Sequence, residues 1–283
     1  MPFIKIQTEG SAELDTFARH VAERLDGADP RKTFWECSDA FEALMASRFL
    51  TGIGHGFMQT MLDAPTHVSG QWQVHQAVLI QQPSCALTVT WTLGDTPIEP
   101  TIASHGAHVM ICTIGSRPLV IDMYQLPRVD LDVFETGAAL AFSHQVVLEP
   151  RQILELDGEQ WVADAHPCGG TCIVTFASAP LCNQIWSFDR ATKQSWSVSS
   201  SSQESTQIKE TLGILRRFKH AEAAPTVERL CAHPNHDIRW EAIKTLGILD
   251  SARALERLRQ AASDAHPHVR ASAARTLSKI DAS

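Results

Sequence analysis

Three histidines carry the first candidate chemistry. His105 and His108 stand at the entry to one expected strand, and His144 falls on another. Three neutral imidazoles on facing strands suit iron, manganese, copper or zinc. Side chains alternate along a strand, so 105 and 108 share a face only if His105 still belongs to the preceding loop. A second set is the run His166-Pro-Cys168-Gly-Gly-Thr-Cys172, whose thiols and imidazole suit a soft metal or redox chemistry. Its spacing lacks paired zinc knuckles, and its Pro-Cys-Gly-Gly core also reads as a hairpin turn. His67 and His75 flank Trp72 at an even separation, which puts both on one face of an extended segment. Neither a nucleophile elbow nor a phosphate-cradling glycine loop occurs. The expected ligands of a bound ion are therefore His105, His108 and His144.

The elements that must position these residues are short strands. Between 53 and 200, stretches rich in Val, Ile, Thr and aromatics alternate with Gly, Pro and Asp turns. The pattern predicts strands over 76–81, 85–93, 108–114, 118–125, 138–148, 153–156, 171–177 and 185–188. In the run LTVTWTL, Leu87, Val89, Trp91 and Leu93 take one face and the threonines the other. Gly94-Asp95 and Asp157-Gly158 are turn signals. Many strands without intervening helices predict an antiparallel sandwich or barrel. The tryptophans at 72, 91, 161, 186 and 196 fall in or beside these segments, as core or as the lining of an apolar pocket.

Helices precede this β region. Leu14, Phe17, Ala18, Val21, Ala22 and Leu25 fall on one helical face, and Gly27 and Pro30 interrupt. A second helix is expected from an N-cap at Ser38 or Asp39 to a stop at Gly52, with Phe41, Leu44, Met45 and Phe49 inward. The expected organisation is a helical segment over 1–52, a β domain over 53–204 and a helical region over 205–283. Seven serines between 195 and 205 mark the last junction, as a final strand or a flexible linker.

The last region repeats. TLGIL occurs at 211–215 and again at 245–249, and a degraded copy follows at 276–280. Arg239, Ala242, Thr245 and Leu246 recur 31 residues later as Arg270, Ala273, Thr276 and Leu277. Helical periods of this length mark stacked helix pairs, which bury their apolar faces only against neighbours. His236-Asp237-Ile238-Arg239 with Ala242 and Leu246, and His268-Val269-Arg270 with Ala273 and Leu277, resemble the signature of HEAT-like repeats, including those of phycobilin-lyase type. That resemblance implies a protein-docking α-solenoid; it does not imply lyase activity. Arg239, Trp240 and Arg270 are the expected docking residues, because Trp and Arg most often dominate interfaces.

The β region resembles the cupin jelly roll through strand density and the run VVLEPRQILELDG at 146–158. In cupins a turn of this kind joins two sheet strands, with a glycine where Arg151 stands. The cupin metal motif would place two histidines one residue apart, then a glutamate and a later histidine, and His105 and His108 do not match it. The expected fold class is therefore α+β: N-terminal helices, an antiparallel cupin-like jelly roll, and a C-terminal HEAT-like α-solenoid.

Composition narrows the function. The chain has 283 residues, a mass of 31.1 kDa and 44% hydrophobic residues, enough for a sizeable core. Residues 205–283 hold 13 Lys and Arg against 9 Asp and Glu, whereas 1–204 hold 11 against 23. A balance of +4 beside a strongly acidic remainder argues against nucleic acid and for a protein partner. No apolar run is long enough to cross a membrane. Seven irregularly spaced cysteines, and a start without a basic-then-apolar stretch, lead us to expect a cytoplasmic protein. The expected function is a non-enzymatic adaptor: a β domain with room for a small-molecule pocket, and a HEAT-like docking tail. The alternative is a metal-dependent cupin-type oxygenase or isomerase whose tail recruits a protein or peptide substrate.

Overall fold

The computed structural model describes residues 11–63, 75–92, 94 and 99–282, in two units. The first comprises 1–128 with 136–197, the second 129–135 with 198–283.

In the first unit, α1 (Ala12–Leu25) starts where Ser11 accepts a hydrogen bond from the Leu14 amide. It buries Leu14, Phe17, Val21 and Leu25, the expected face. Pro30 opens the short α2 (Pro30–Thr33) instead of merely interrupting, since proline fits a first helical turn. The chain continues as a 3-10 turn (Phe34–Cys37) into α3 (Ser38–Ala46), so neither Ser38 nor Asp39 caps it. A further helix, α4 (Phe49–Asp63), runs through Gly52, the expected stop.

The strands are β1 (Gln76–Gln82), β2 (Cys85–Trp91), β3 (Thr101–Ala103), β4 (Val109–Ile114), β5 (Leu119–Gln125) and β6 (Ala141–Leu148). Then follow β7 (Ile153–Leu156), β8 (Trp161–His166), β9 (Cys172–Ser178), β10 (Gln184–Asp189) and β11 (Ser195–Ser200). Sequence reading misses β3 and β8, one of three residues and the other interrupted by Asp164. Leu93 and Asp95 lie outside the described residues.

The expected jelly roll is corrected by the sheet topology. Among the described residues the strands form three separate sheets, ordered β1-β2-β9-β4-β7, β11-β10-β3 and β6-β5-β8, and none closes or curls into a barrel. The physical reason lies in what covers the five-stranded sheet. Met110, Cys112, Leu87, Val89, Val174 and Phe176 meet the N-terminal helices on one face. Val109 and Ile111 meet Leu119, Ile121, Met123 and Leu148 on the other. Helices thus cover one face and a separate three-stranded sheet the other, and the strands of the two sheets do not pair into one closed sheet. Phe176 is the anchor of the helices, in ring contact with Phe17 at 5.2 Å, Phe34 at 4.9 Å and Phe41 at 5.7 Å. Arg151 adopts a left-handed φ of 69° between β6 and β7, where a glycine would be unstrained. Its guanidinium offsets that cost by donating to the carbonyls of Met45 and Ala46 at the end of α3, each at 3.2 Å.

The second unit contains α5 (Gln203–Phe218), a 3-10 turn (Ala221–Ala223), α6 (Ala224–Leu230), α7 (His236–Leu249), α8 (Ser251–Ala261) and α9 (Pro267–Asp281). Leu212, Val227, Ala242 and Leu246 form one interhelical core, and Ile243, Leu258, Val269 and Ala273 the next. The recurring threonines have a shared role: Thr211, Thr245 and Thr276 each donate to the carbonyl four residues back, at 2.8 Å. No described helix is long and apolar enough to cross a membrane. Leu246 is fully buried, so Leu246→Asp should cost about 3–5 kcal/mol by leaving an unpaired charge inside. A thermal melt should show the loss; an unchanged transition would contradict this packing.

Candidate metal centre

The register of β4 and β7 builds the site. Val109 pairs with Leu156, so one step further out His108 faces Asp157 and Ala107 faces Gly158. At Gly158 a Cβ would lie 1.8 Å from the Ala107 carbonyl oxygen. Only glycine permits that approach, and it draws the turn between β7 and β8 over His108. The His108 amide donates to Ser178 Oγ at 3.0 Å, and its carbonyl accepts from the Ser178 amide at 2.9 Å. The His108 ring lies against Phe34 at 6.1 Å and Trp35 at 5.0 Å between centroids. Its residue exposure is 3%.

His108 Nδ1 stands 3.3 Å from Asp157 Oδ1. That is an ion-pair separation, but the approach lies off the hydrogen-bonding direction, and Nδ1 has no hydrogen-bond partner. A buried nitrogen left so is costly unless something else occupies its lone pair. Glu159 completes a group in which the ligand atoms of His108, Asp157 and Glu159 all lie within 4.8 Å of one another. Among the described residues this is the one such group of three His, Cys, Asp or Glu side chains. Two tetrahedral ligands at roughly 2.0–2.2 Å from an ion stand roughly 3.3–3.6 Å apart; the His108–Asp157 distance matches, and Glu159 has to close in.

The carboxylates are held by their own turn. Asp157 Oδ1 accepts from the Glu159 amide at 3.0 Å and Oδ2 from Gln160 Nε2 at 2.6 Å. Glu159 Oε1 accepts from Arg31 Nε at 3.0 Å and Nη2 at 2.8 Å. The donors run from fully buried imidazole to half-exposed carboxylates, so the group opens to solvent on the glutamate side.

The three expected histidines lie in different surroundings. His105 is half-buried; its Nε2 accepts from the Ala163 amide at 3.4 Å, and burial lowers its pKa to about 4. His144 is exposed on β6, with Nδ1 3.0 Å from Ser143 Oγ and its ring edge-on to Trp161. The structure groups His108 with two carboxylates, and neither His105 nor His144 belongs to that group. Asp157 and Glu159 were legible only as a turn signal and its neighbour, because the β4–β7 pairing that brings them to His108 spans about 50 residues of chain.

His166 pairs with Asp122 at 3.0 Å. Exposed Cys168 meets Thr171 at 3.4 Å and Arg117 at 3.9 Å, contacts that lower its pKa. Burial raises that of Cys172. His67 and Trp72 lie outside the described residues. In the second unit, Arg239 donates through Nε and Nη2 to both oxygens of Asp264, at 2.8 and 2.6 Å, and through Nη1 to the carbonyls of His233 and Pro234, each at 2.9 Å. Arg270 does the same for the next turn, donating to the carbonyls of Asp264 and Ala265 at 2.7 and 2.6 Å. The recurring arginine thus closes the loop ahead of its own helix, and Trp240 packs half-buried on the core of Ile243 and Leu258.

The family of HEAT repeats matches residues 206–278. No curated protein matches the chain. Among solved structures, a protein of Klebsiella pneumoniae with a double-stranded β-helix domain aligns at 14% identity and a TM-score of 0.23, over 42% of this chain and 86% of that one. The vicilin of Solanum melongena aligns at 10% identity and 0.27, over 46% of this chain and 33% of that one. The capsular polysaccharide assembling protein CapF of Staphylococcus aureus aligns at 9% identity and 0.27, over 58% and 44%. The chain therefore spans less than half the length of the latter two.

The depressed pKa of His105 has a measurable consequence. Between pH 6.5 and about 4 the unfolded chain takes up a proton that folded His105 refuses. Its contribution is present above pH 6.5 and falls away as the pH drops to about 4, by about 3 kcal/mol at most. Denaturant unfolding across this range should show a slope that His105→Gln reduces; an NMR titration of His105 with a midpoint near 6.5 would contradict it.

Proposed function

We propose that the protein is a metal-dependent enzyme in which His108, Asp157 and Glu159 hold one divalent transition-metal ion, and that its HEAT-repeat region brings a protein or peptide to it. The observation that carries this reading is the buried His108 Nδ1, without a hydrogen bond, facing two carboxylates that converge on it. Three protein ligands are fewer than the four of a closed structural zinc site, which leaves positions for water or substrate. One imidazole with two carboxylate oxygens accepts iron, manganese or zinc. Such an ion acts as a Lewis acid or activates bound water. The chain's own residues would fix the geometry: Phe34 and Trp35 hold the His108 ring, and Gln160 with the Glu159 amide holds Asp157. Docking of a protein is what HEAT-type helix stacks generally do, and the match over 206–278 supports it.

Metal analysis after desalting provides the test. Wild type loaded separately with iron, manganese, copper and zinc should retain about one equivalent of at least one of them. His108→Ala and Asp157→Asn should each weaken retention at least tenfold, on the order of or beyond the loss of an outer-shell partner. His144→Ala should leave it unchanged. Retention that ignores both His108 and Asp157, or no retention by wild type, contradicts the reading.

A further inference from the structure

Arg31 places a guanidinium beside the carboxylates of the site, held through Glu159. It stands in α2, whose start is fixed by Asp29 accepting from the Arg31 amide at 3.1 Å and by Pro30 in the first turn. Its Nε and Nη2 share a single oxygen of Glu159, and Nη2 also donates to the Leu181 carbonyl at 2.9 Å. Among the described residues, Nη1 of Arg31 and Oε2 of Glu159 have no hydrogen-bond partner. Arg31 thus holds Oε1, and Oε2 stays open to a second partner. The half-exposed guanidinium then stands one carboxylate away from the metal, with the N–H groups of Nη1 open.

A divalent ion offsets the charges of Asp157 and Glu159, which leaves the Arg31 guanidinium balanced by the neighbouring Asp29 carboxylate alone. As an ion pair alone, Arg31 with Glu159 is half-exposed on both sides, where such pairs contribute little. We infer that Arg31 is the anion-recognition group of the metal site, and that the ligand it recognises carries a carboxylate, one oxygen on the ion and the other on Arg31 Nη1. This rests on the metal reading above. Carboxylate fits better than phosphate, because only one nitrogen of the guanidinium is open, whereas a phosphate dianion calls on several donors. The carboxylate has two sources, a small organic acid or the C-terminus of a docked peptide.

The test uses full-length protein loaded with cobalt(II), whose visible absorption reports a change of ligand at the ion. Oxalate, N-acetylglycylglycine with a free carboxylate, its amide, and inorganic phosphate are titrated separately into wild type, Arg31→Met and Arg31→Lys. We expect oxalate, the free-carboxylate peptide or both to shift the spectrum of wild type. Arg31→Met should retain cobalt but bind that carboxylate roughly tenfold to a hundredfold more weakly, the range of one hydrogen bond to a charged group. Arg31→Lys should recover part of the loss. Binding of oxalate alone assigns a small acid, and binding of the peptide alone assigns a C-terminus. Cobalt retention with equal carboxylate affinity in wild type and Arg31→Met overturns the inference while sparing the metal reading. So does an amide that binds as well as the acid, or an Arg31-dependent preference for phosphate. Failure of wild type to hold cobalt removes both.

Discussion

The interaction on which the site depends is the burial of one imidazole between a sheet and a helical layer. His108 enters the five-stranded sheet beside β4, its main chain is tied to Ser178, and its ring is covered by Phe34 and Trp35. Phe34 rests in turn on Phe176, the residue on which α1 and α3 also converge. The packing that joins helices to sheet therefore also sets the orientation of the imidazole. A ring so confined cannot turn to seek a partner, and the adjacent aspartate does not give Nδ1 a hydrogen bond. The geometry is stable as it stands only at the cost of an orphaned nitrogen, or with that nitrogen coordinating an ion.

Glycine chemistry explains how the carboxylates reach it. The turn between β7 and β8 crosses Ala107 so closely that Gly158 admits no side chain. Asp157 and Glu159 flank that glycine, so the close approach delivers both carboxylates to the imidazole. Arg31 then arrives from a different element, α2, and fastens the turn from outside through Glu159. Three separate pieces of chain meet at a group of side chains that open to solvent on one side.

Much of the architecture was legible in the sequence, for particular physical reasons. The amphipathic face of α1 and the recurring Thr-Leu-Gly-Ile-Leu pattern are local signals, and local spacing determines which residues a helix buries. The second-unit cores, one with Ala242 and Leu246 and the next with Ala273, follow from those spacings. Closure of the sheets was not legible, because it depends on what covers each face. The strand pattern does not say that helices take one side of β4 and a three-stranded sheet the other. β4, buried on both sides, lacks the alternation from which a face could be assigned. The candidate site was half legible for the same reason. His108 was readable as a ligand type in the right element; Asp157 and Glu159 come to it through strand pairing distant in sequence.

Recurring arginines illustrate the converse. Arg239 and Arg270 stood out by repetition and residue type, and each turns out to bond the carbonyls of the loop before its helix. Repetition there accompanies one structural task in two successive helix pairs.

The central claim, that the buried face of His108 is a metal ligand, is tested most directly by nitrogen NMR of the histidine rings during addition of one equivalent of zinc. The account predicts that His108 Nδ1 shifts strongly while the ring nitrogens of His105 and His144 keep their resonances. An unmoved His108, or a shift confined to His105 or His144, would contradict it.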